Sequence, residues 1–235
     1  MTRIQRLAAA AAAATITLGT IGLTAAAASA APSQDGAAAK KVVEAKIDQR
    51  LAQLDRLQKA TDASKDVTDA DRSAIGTIIT NEVSGLTALR TKVDGETTAA
   101  AVAADAKSMI DDYRVYVVVT PQVHLTLATD VGEHVITRAN DEITPKLDAA
   151  IAQAQANGKD VTKAQADEDA YKAAVAAASA DLDGQSALLL QQVPHGYPDN
   201  HQTFLDARAK VADARAQLGQ AKTDAHNVIQ DLKSA

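Results

Sequence analysis

Apolar residues fall into a repeating pattern most clearly at the end of the chain, where Phe204, Ala207, Val211, Ala214, Leu218, Ala221, Ala225, Val228 and Leu232 recur in a three-four alternation. That spacing is the seam of a coiled-coil helix. Its mixture of Ala with larger side chains predicts a second helix lying close against it. The same period runs through Val43, Ile47, Leu51, Leu54 and Leu57, which predict a first helix over about 37–61. Ile75, Ile79, Val83, Leu86, Leu89 and Val93 predict a second, ended by Gly95. Thr68 with Asp71 makes a capping-box-like start to it, with Asp in place of the usual Glu. Two helices of similar length on a short connection read as an antiparallel hairpin over 37–95.

The middle of the chain is less regular. A third helix opens at Thr97 or Thr98 and passes through Ala103, Ala106 and Ile110 into the run Tyr113-Arg114-Val115-Tyr116-Val117-Val118-Val119-Thr120-Pro121. The β-branched and aromatic content of that run suits a strand, but no second strand-like segment exists to pair with it. A helix to about Val119 that breaks at Pro121 is therefore favoured over an extended segment, because Pro has no N–H and disfavours helical backbone at Thr120. A fourth helix is expected from Pro121 to Asn157 through Leu127, Val131, Val135, Ile143, Leu147, Ile151 and Ala154, kinked at Pro145 and ended by Gly158. Residues 97–158 thus form a proline-broken pair of helices. A fifth helix, Thr162 to about Gln192, uses Tyr171, Val175, Ala178, Leu182 and Leu189 and has a weak point at Gly184. After the loop Pro194–Asn200 it pairs with the last helix as a long hairpin over 161–235. The expected fold is all-α: an elongated antiparallel helical bundle over 37–235 with coiled-coil-like packing of long helices.

Composition supports slim helices in close contact, since alanine is abundant and aromatic residues are 2% of the chain. Residues 1–30 have another role. Arg3 and Arg6 precede an apolar run from Leu7 to Leu23 and the small-residue stretch Ala28-Ser29-Ala30, which is the three-part pattern of a secretory signal peptide. The mature chain is expected to begin at Ala31, with 31–36 a short disordered lead. Losing Arg3 and Arg6 takes Lys+Arg from 24 to 22 against 30 Asp+Glu, so the formal charge moves from -6 to -8. An acidic surface disfavours nucleic acid and anionic lipid as partners. With no cysteine there is no disulfide, thiolate metal site or lipid-acceptor thiol. The last residues, Ile229 to Ala235, carry no apolar tail, so no stable membrane anchor is expected after cleavage. These features point to a protein secreted to the cell exterior or held non-covalently at the cell wall.

Candidate chemistry is sparse. His124, Asp130 and His134 can supply a divalent metal site from one helix, and His195, Asp199 and His201 bracket a tight loop. The spacing matches no dense metal motif, and solvated or capping histidines account for it as well. Asp111-Asp112 and Asp167-Glu168-Asp169 are neighbours in sequence, which on a helix diverge rather than converge on a substrate. There is no nucleophile elbow, phosphate loop or dinucleotide fingerprint, so no catalytic residue and no cofactor is assigned. Tyr113, Arg114 and Tyr116 are candidates for one interaction surface, and Tyr197 with Phe204 for another, the competing role being the core where helices converge.

The run Asp112-Tyr113-Arg114-Val115-Tyr116, followed by Val117-Val118-Val119-Thr120-Pro121, resembles uncharacterised secreted α-helical proteins of high-GC Gram-positive bacteria. The resemblance covers the middle half of the chain beyond the signal segment. It implies a helical protein outside the cytoplasmic membrane and brings no ligand or catalytic residue with it. The expected role is structural or interactive, with an envelope or extracellular protein of unknown identity as partner, in an oligomeric state that sequence does not set. The alternative is a carrier or sensor of a small ligand or metal near the Pro121 break.

Overall fold

The first apolar stripe winds into α1 (Gly36–Ala63), whose Val43, Ile47, Leu54 and Leu57 are buried. This computed structural model describes residues 36–235. The expected signal peptide, 1–30, and most of the expected lead lie outside the described residues, and Gly36 already belongs to α1. Helix α2 (Asp69–Gly95) begins as its sequence predicts, with the Thr68 hydroxyl accepting from the Asp71 N–H at 3.1 Å. It runs antiparallel to α1, since Lys40 Nζ donates to Asp94 O at 2.5 Å and Arg90 pairs with Asp48 at 3.0 Å. Arg72 donates to Thr61 O at 2.5 Å and to Ser64 O at 2.7 Å, closing carbonyls at the end of α1 that have no partner within the helix. Ile47, Leu54, Ile75 and Leu86 are fully excluded from solvent, each contributing about 1.5–3 kcal/mol by burial. Gly95 is no left-handed stop. It is the last helical residue, and the extended Glu96 returns its N–H to Val93 O.

Helix α3 (Ala99–Asp111) starts at the Thr98 cap, but its inward face is not the apolar stripe expected. Val102, Asp105 and Met109 point inward, while Ala103 and Ile110 are exposed. A carboxylate holds a core position there because Lys92 Nζ reaches it at 2.5 Å.

The helical break comes at Asp112–Arg114 rather than at Pro121. Val115–Val119 forms a π-helical turn closed by the Thr120 N–H on Val115 O, and it continues directly into α4 (Thr120–Arg138). The extended alternative for Val115–Val119 is thus replaced by helix. Pro121 sits in the first turn of α4, and the wide turn ahead of it removes the crowding that a proline ring imposes on the carbonyl four residues back. The same device recurs one segment later, where Ala139–Ile143 forms a second π-turn before Thr144 and Pro145 open α5 (Thr144–Ala156). The Thr144 hydroxyl adds a bond to Ala139 O at 2.9 Å. Gly158, at φ 77°, and Lys159, whose N–H returns to Ala154 O, end α5 in a Schellman arrangement.

Helix α4 presents an unexpected face to its neighbours. Val131 and Val135 are exposed at 41% and 42%, whereas Thr126, Thr129 and Asp130 are buried. This helix lies between the α1–α2 pair and the later helices, packing on α1, α6, α7 and α8. Small hydroxyl side chains permit close packing on several sides, and Thr129 satisfies its own hydroxyl by donating to Leu125 O.

The expected fifth helix is two, α6 (Thr162–Leu182) and α7 (Gln185–Leu190), separated where Gly184 takes φ 68°. A short 3₁₀ turn, Pro194–Gly196, leads to α8 (His201–Ser234). Helices α6 and α8 make the most extensive contact among the described residues, and they are antiparallel, since Lys163 pairs with Asp231 at 2.6 Å and Lys159 Nζ reaches Leu232 O. Every residue of the last-helix seam is buried or half-buried, with Ala214, Ala221 and Val228 in one core with Tyr171, Val175 and Ala178 of α6. The described residues form an all-α helical bundle.

Candidate interaction surface

The residues of the Asp112–Tyr116 run reach three parts of the fold, α1, α2 and the loop before α8. The Asp112 carboxylate lies 3.4 Å from His195 Nε2. The Tyr113 ring rests on Gly85 of α2, where a Cβ would come within 2.4 Å of it. The Arg114 guanidinium stacks on the Tyr197 ring at 4.9 Å and bonds Asp111 at 3.4 Å. Val115 is fully buried, and the Tyr116 ring carries the Arg50 guanidinium at 5.4 Å. Tyr197 in turn meets the His201 ring edge-on at 5.9 Å. The segment therefore fastens α1, α2 and the loop before α8 to one another.

The chain has four Tyr, one Phe and no Trp. Of these five rings, Tyr113, Tyr116, Tyr197 and Phe204 lie in the two segments that meet here, while Tyr171 is buried elsewhere with its hydroxyl on Ala139 O. Phe204 is 5% exposed and packs with Val118, Leu189 and Ala207, so it supports the surface from beneath and contributes no outward face. Tyr113, Arg114 and Tyr197 are half-buried, and Tyr116 is exposed. Ile110 and Val193, next to the joined segments in sequence, are exposed at 47% and 56%.

The three residues of the metal alternative do not converge. His124 lies on the exposed side of α4, and His134 faces Asp66 at 3.7 Å. Asp130 turns inward, accepting from Ser186 Oγ at 3.1 Å and from the Thr68 N–H at 3.3 Å, beside the Asp71 carboxyl. Burial, with the Asp71 carboxyl next, pushes Asp130 up to about 7. His195 and His201 are engaged by Asp112 and Tyr197, and Asp199 is exposed. No group of three or more His, Asp or Glu placed to hold a metal ion occurs among the described residues.

Glu82 and Glu168 are buried on the core faces of their helices, although the sequence marks Glu168 only as part of an acidic run and Glu82 not at all. Glu82 occupies a core position of α2, with one oxygen buried and unpartnered, and burial raises its pKa to about 7. Glu168 is buried in α6, held by Lys172 at 3.3 Å and Gln165 at 2.9 Å, and burial raises it too. The acid neighbours Asp167 and Asp169 diverge as expected. Asp167 turns to Asp231 and Lys163 on the α8 side, while Asp169 is exposed. A shallow polar groove between α1 and α2, lined by Gln58, Ser73, Gly76 and Thr77, has no apolar wall or charged group to orient a ligand.

No family model matches the chain, and no curated protein or solved structure matches it. No described helix is long and apolar enough to cross a membrane.

Proposed function

We propose that this is a protein of the cell exterior or envelope that acts by binding another protein, without catalytic chemistry of its own. The observation that carries the reading is the gathering of four of the chain's five aromatic rings where Asp112–Tyr116 meets Tyr197–Phe204. Tyr and Arg are the residue types that dominate protein interfaces, because each combines a large contact area with polar anchoring. Arg114 and Tyr197 brace one another, as do Arg50 and Tyr116, so these side chains are ordered before a partner arrives and lose little entropy on binding. Exposed Ile110, Tyr116 and Val193 supply apolar area beside them. The extracytoplasmic placement rests on the leader pattern ending Ala28-Ser29-Ala30.

Two measurements test the reading. Mass spectrometry of the secreted protein should find a mature amino terminus at Ala31, and intact Met1 on all of it would remove the placement. Cross-linked capture from envelope extracts should recover a partner with the native protein and lose it with Tyr116→Ala combined with Val193→Asp. Both positions are exposed, so the melting temperature should hold within the range of surface changes. Equal recovery by native and substituted protein would refute this surface.

A further inference from the structure

Charge is divided between the two flanks of α1. Glu44, Asp48, Asp55 and Asp62 fall four or seven residues apart and so share one flank, which Asp48 turns to Arg90 of α2. Lys46, Gln49, Gln53 and Arg56 follow three-four steps along the other, with Arg50 at its inner edge. No residue three or four places from Lys46, Arg50 or Arg56 is acidic. Neutral groups hold these cations instead: Lys46 Nζ donates to Gln49 Oε1 at 3.4 Å, Arg50 to Lys46 O at 3.2 Å, and Arg56 to Gln53 Oε1 at 3.2 Å. The carboxylates of α3 and of the segment after it are engaged elsewhere, Asp105 by Lys92, Asp111 by Lys107 and Arg114, and Asp112 by His195. This cationic flank borders the interaction surface, because Gln53 donates to Thr120 Oγ1 at 3.4 Å and the Arg50 guanidinium lies over the exposed Tyr116 ring. Arg50 is half-buried, and its Nε–H is buried without an acceptor. Burial lowers its pKa, with no carboxylate acting in return.

We propose that Lys46, Arg50 and Arg56, with Tyr116, form the docking strip for an acidic segment of the partner protein. This names the partner's chemistry and rests on the binding role proposed above. The guanidinium fork of Arg50 matches a carboxylate in two parallel hydrogen bonds, and its stacking on Tyr116 fixes the fork in place. The Tyr116 ring offers apolar area to whatever flanks that carboxylate. Lys46 to Arg56 covers about 15 Å of helix, a span that about five residues of extended chain match. The size of the strip selects a short segment over a large anionic surface. The chain carries a net charge of -6, so a membrane or a long polyanion would meet repulsion from the rest of the protein, whereas a short acidic segment meets only the strip.

The probe is hexaglutamate capped at both ends, titrated into the native chain and followed by NMR through the Arg50 and Arg56 Nε–H signals and the Tyr116 ring. Capped hexaglutamine is the neutral comparison. Hexaglutamate should bind saturably and move those signals, and hexaglutamine should not. Lys46→Glu combined with Arg56→Glu reverses two exposed charges and should weaken binding on the order of tenfold or more. Lys210→Glu combined with Lys222→Glu makes the same change of net charge at exposed positions of α8 and should leave binding within about twofold. All four positions are exposed, so the melting temperature should hold in both variants. No saturable binding of hexaglutamate, equal weakening by the two pairs, or tighter binding of phosphatidylglycerol vesicles through the same residues would overturn the strip. Failure of the binding role itself reads differently. Capture of no envelope partner by the native chain would fault that role and leave the titration to decide the strip. A partner retained by Lys46→Glu with Arg56→Glu, yet lost with Tyr116→Ala and Val193→Asp, would keep the role and overturn the acidic segment.

Discussion

Replacing Ala221 by Leu tests the α6–α8 contact, the most extensive helix contact among the described residues. Ala221 is 3% exposed and Ala214, two turns earlier on the same stripe, is 1% exposed. Both lie in the core with Tyr171, Val175 and Ala178 of α6, where Ala178 is itself fully buried. Small residues on both helices bring the backbones together, and Leu adds three carbons for which no space exists. Such overpacking costs about 1–3 kcal/mol. For a domain near two hundred residues each kcal/mol moves the melting temperature by about 2–4 °C, so Ala221→Leu should lower it by roughly 2–12 °C. The matched control is Ala216→Leu, on the exposed side of α8. Leu and Ala differ little in helix propensity, and the change should stay within about 0.5 kcal/mol. Urea denaturation of the two variants beside the parent measures both effects, with unchanged slopes confirming that only stability moved. Because α6 already covers the seam, neither substitution should alter self-association. Equal destabilisation by the two, or a selective change in association from Ala221→Leu, would refute this account of α8.

Glu82→Gln should flatten part of the pH profile of stability: with the folded pKa at about 7 against 4.5 unfolded, the parent loses about 3 kcal/mol between pH 4.5 and 7 that the variant keeps. Chemical denaturation across that range checks it, and parallel profiles would show that Glu82 ionises normally. Two glycines of α2 should respond oppositely to alanine. Gly76→Ala meets nothing within 4 Å and should gain about 0.5–1 kcal/mol, whereas Gly85→Ala drives a Cβ into the Tyr113 ring and should cost about 1–3 kcal/mol with a changed near-ultraviolet tyrosine signal. Zinc should leave the melting temperature unmoved, because Asp130 is engaged by Ser186 and Thr68 while His134 faces Asp66; a rise abolished by His134→Ala would reinstate a metal carrier.

Periodicity succeeded where apolar residues make up most of the buried stripe. The α8 seam, the α1 stripe and the α6 positions Tyr171, Val175, Ala178 and Leu182 all face inward as their spacing requires. It misplaced inward positions in α2, α3 and α4, where a polar residue takes the place beside an expected apolar one, although the buried Glu168 of α6 and Asp224 of α8 left those stripes where their spacing put them. In α3 the carboxylate at Asp105 stands between Val102 and Met109, and in α2 Glu82 takes the position that the apolar pattern assigned to Val83. In α4 the threonines and Asp130 face inward while Val131 and Val135 face out. No apolar scale can mark such positions, because what makes burial tolerable is a partner far along the chain: Lys92 for Asp105, Thr68 and Ser186 for Asp130. The Asp112–Tyr116 run was legible as unusual, but its contacts with Gly85, His195 and Tyr197 follow from topology.

The prolines show how a local rule can hold and still mislead. Pro121 and Pro145 each remove an N–H and crowd the preceding turn, which by itself predicts a break or a kink. In both places a π-turn comes first, Val115–Val119 and Ala139–Ile143, each closed by the N–H of the threonine before the proline. Val115, Val119 and Val123 serve the core of α1 and α2, and Ile136, Ala139, Leu147 and Ile151 serve that of α6 and α8. One continuous helical rod can belong to two cores only if its apolar face changes side along its length. The change of side falls inside α4, between Val123 and Ile136, whereas each π-turn and Thr-Pro step lies within a stretch that serves a single core and carries it past its proline.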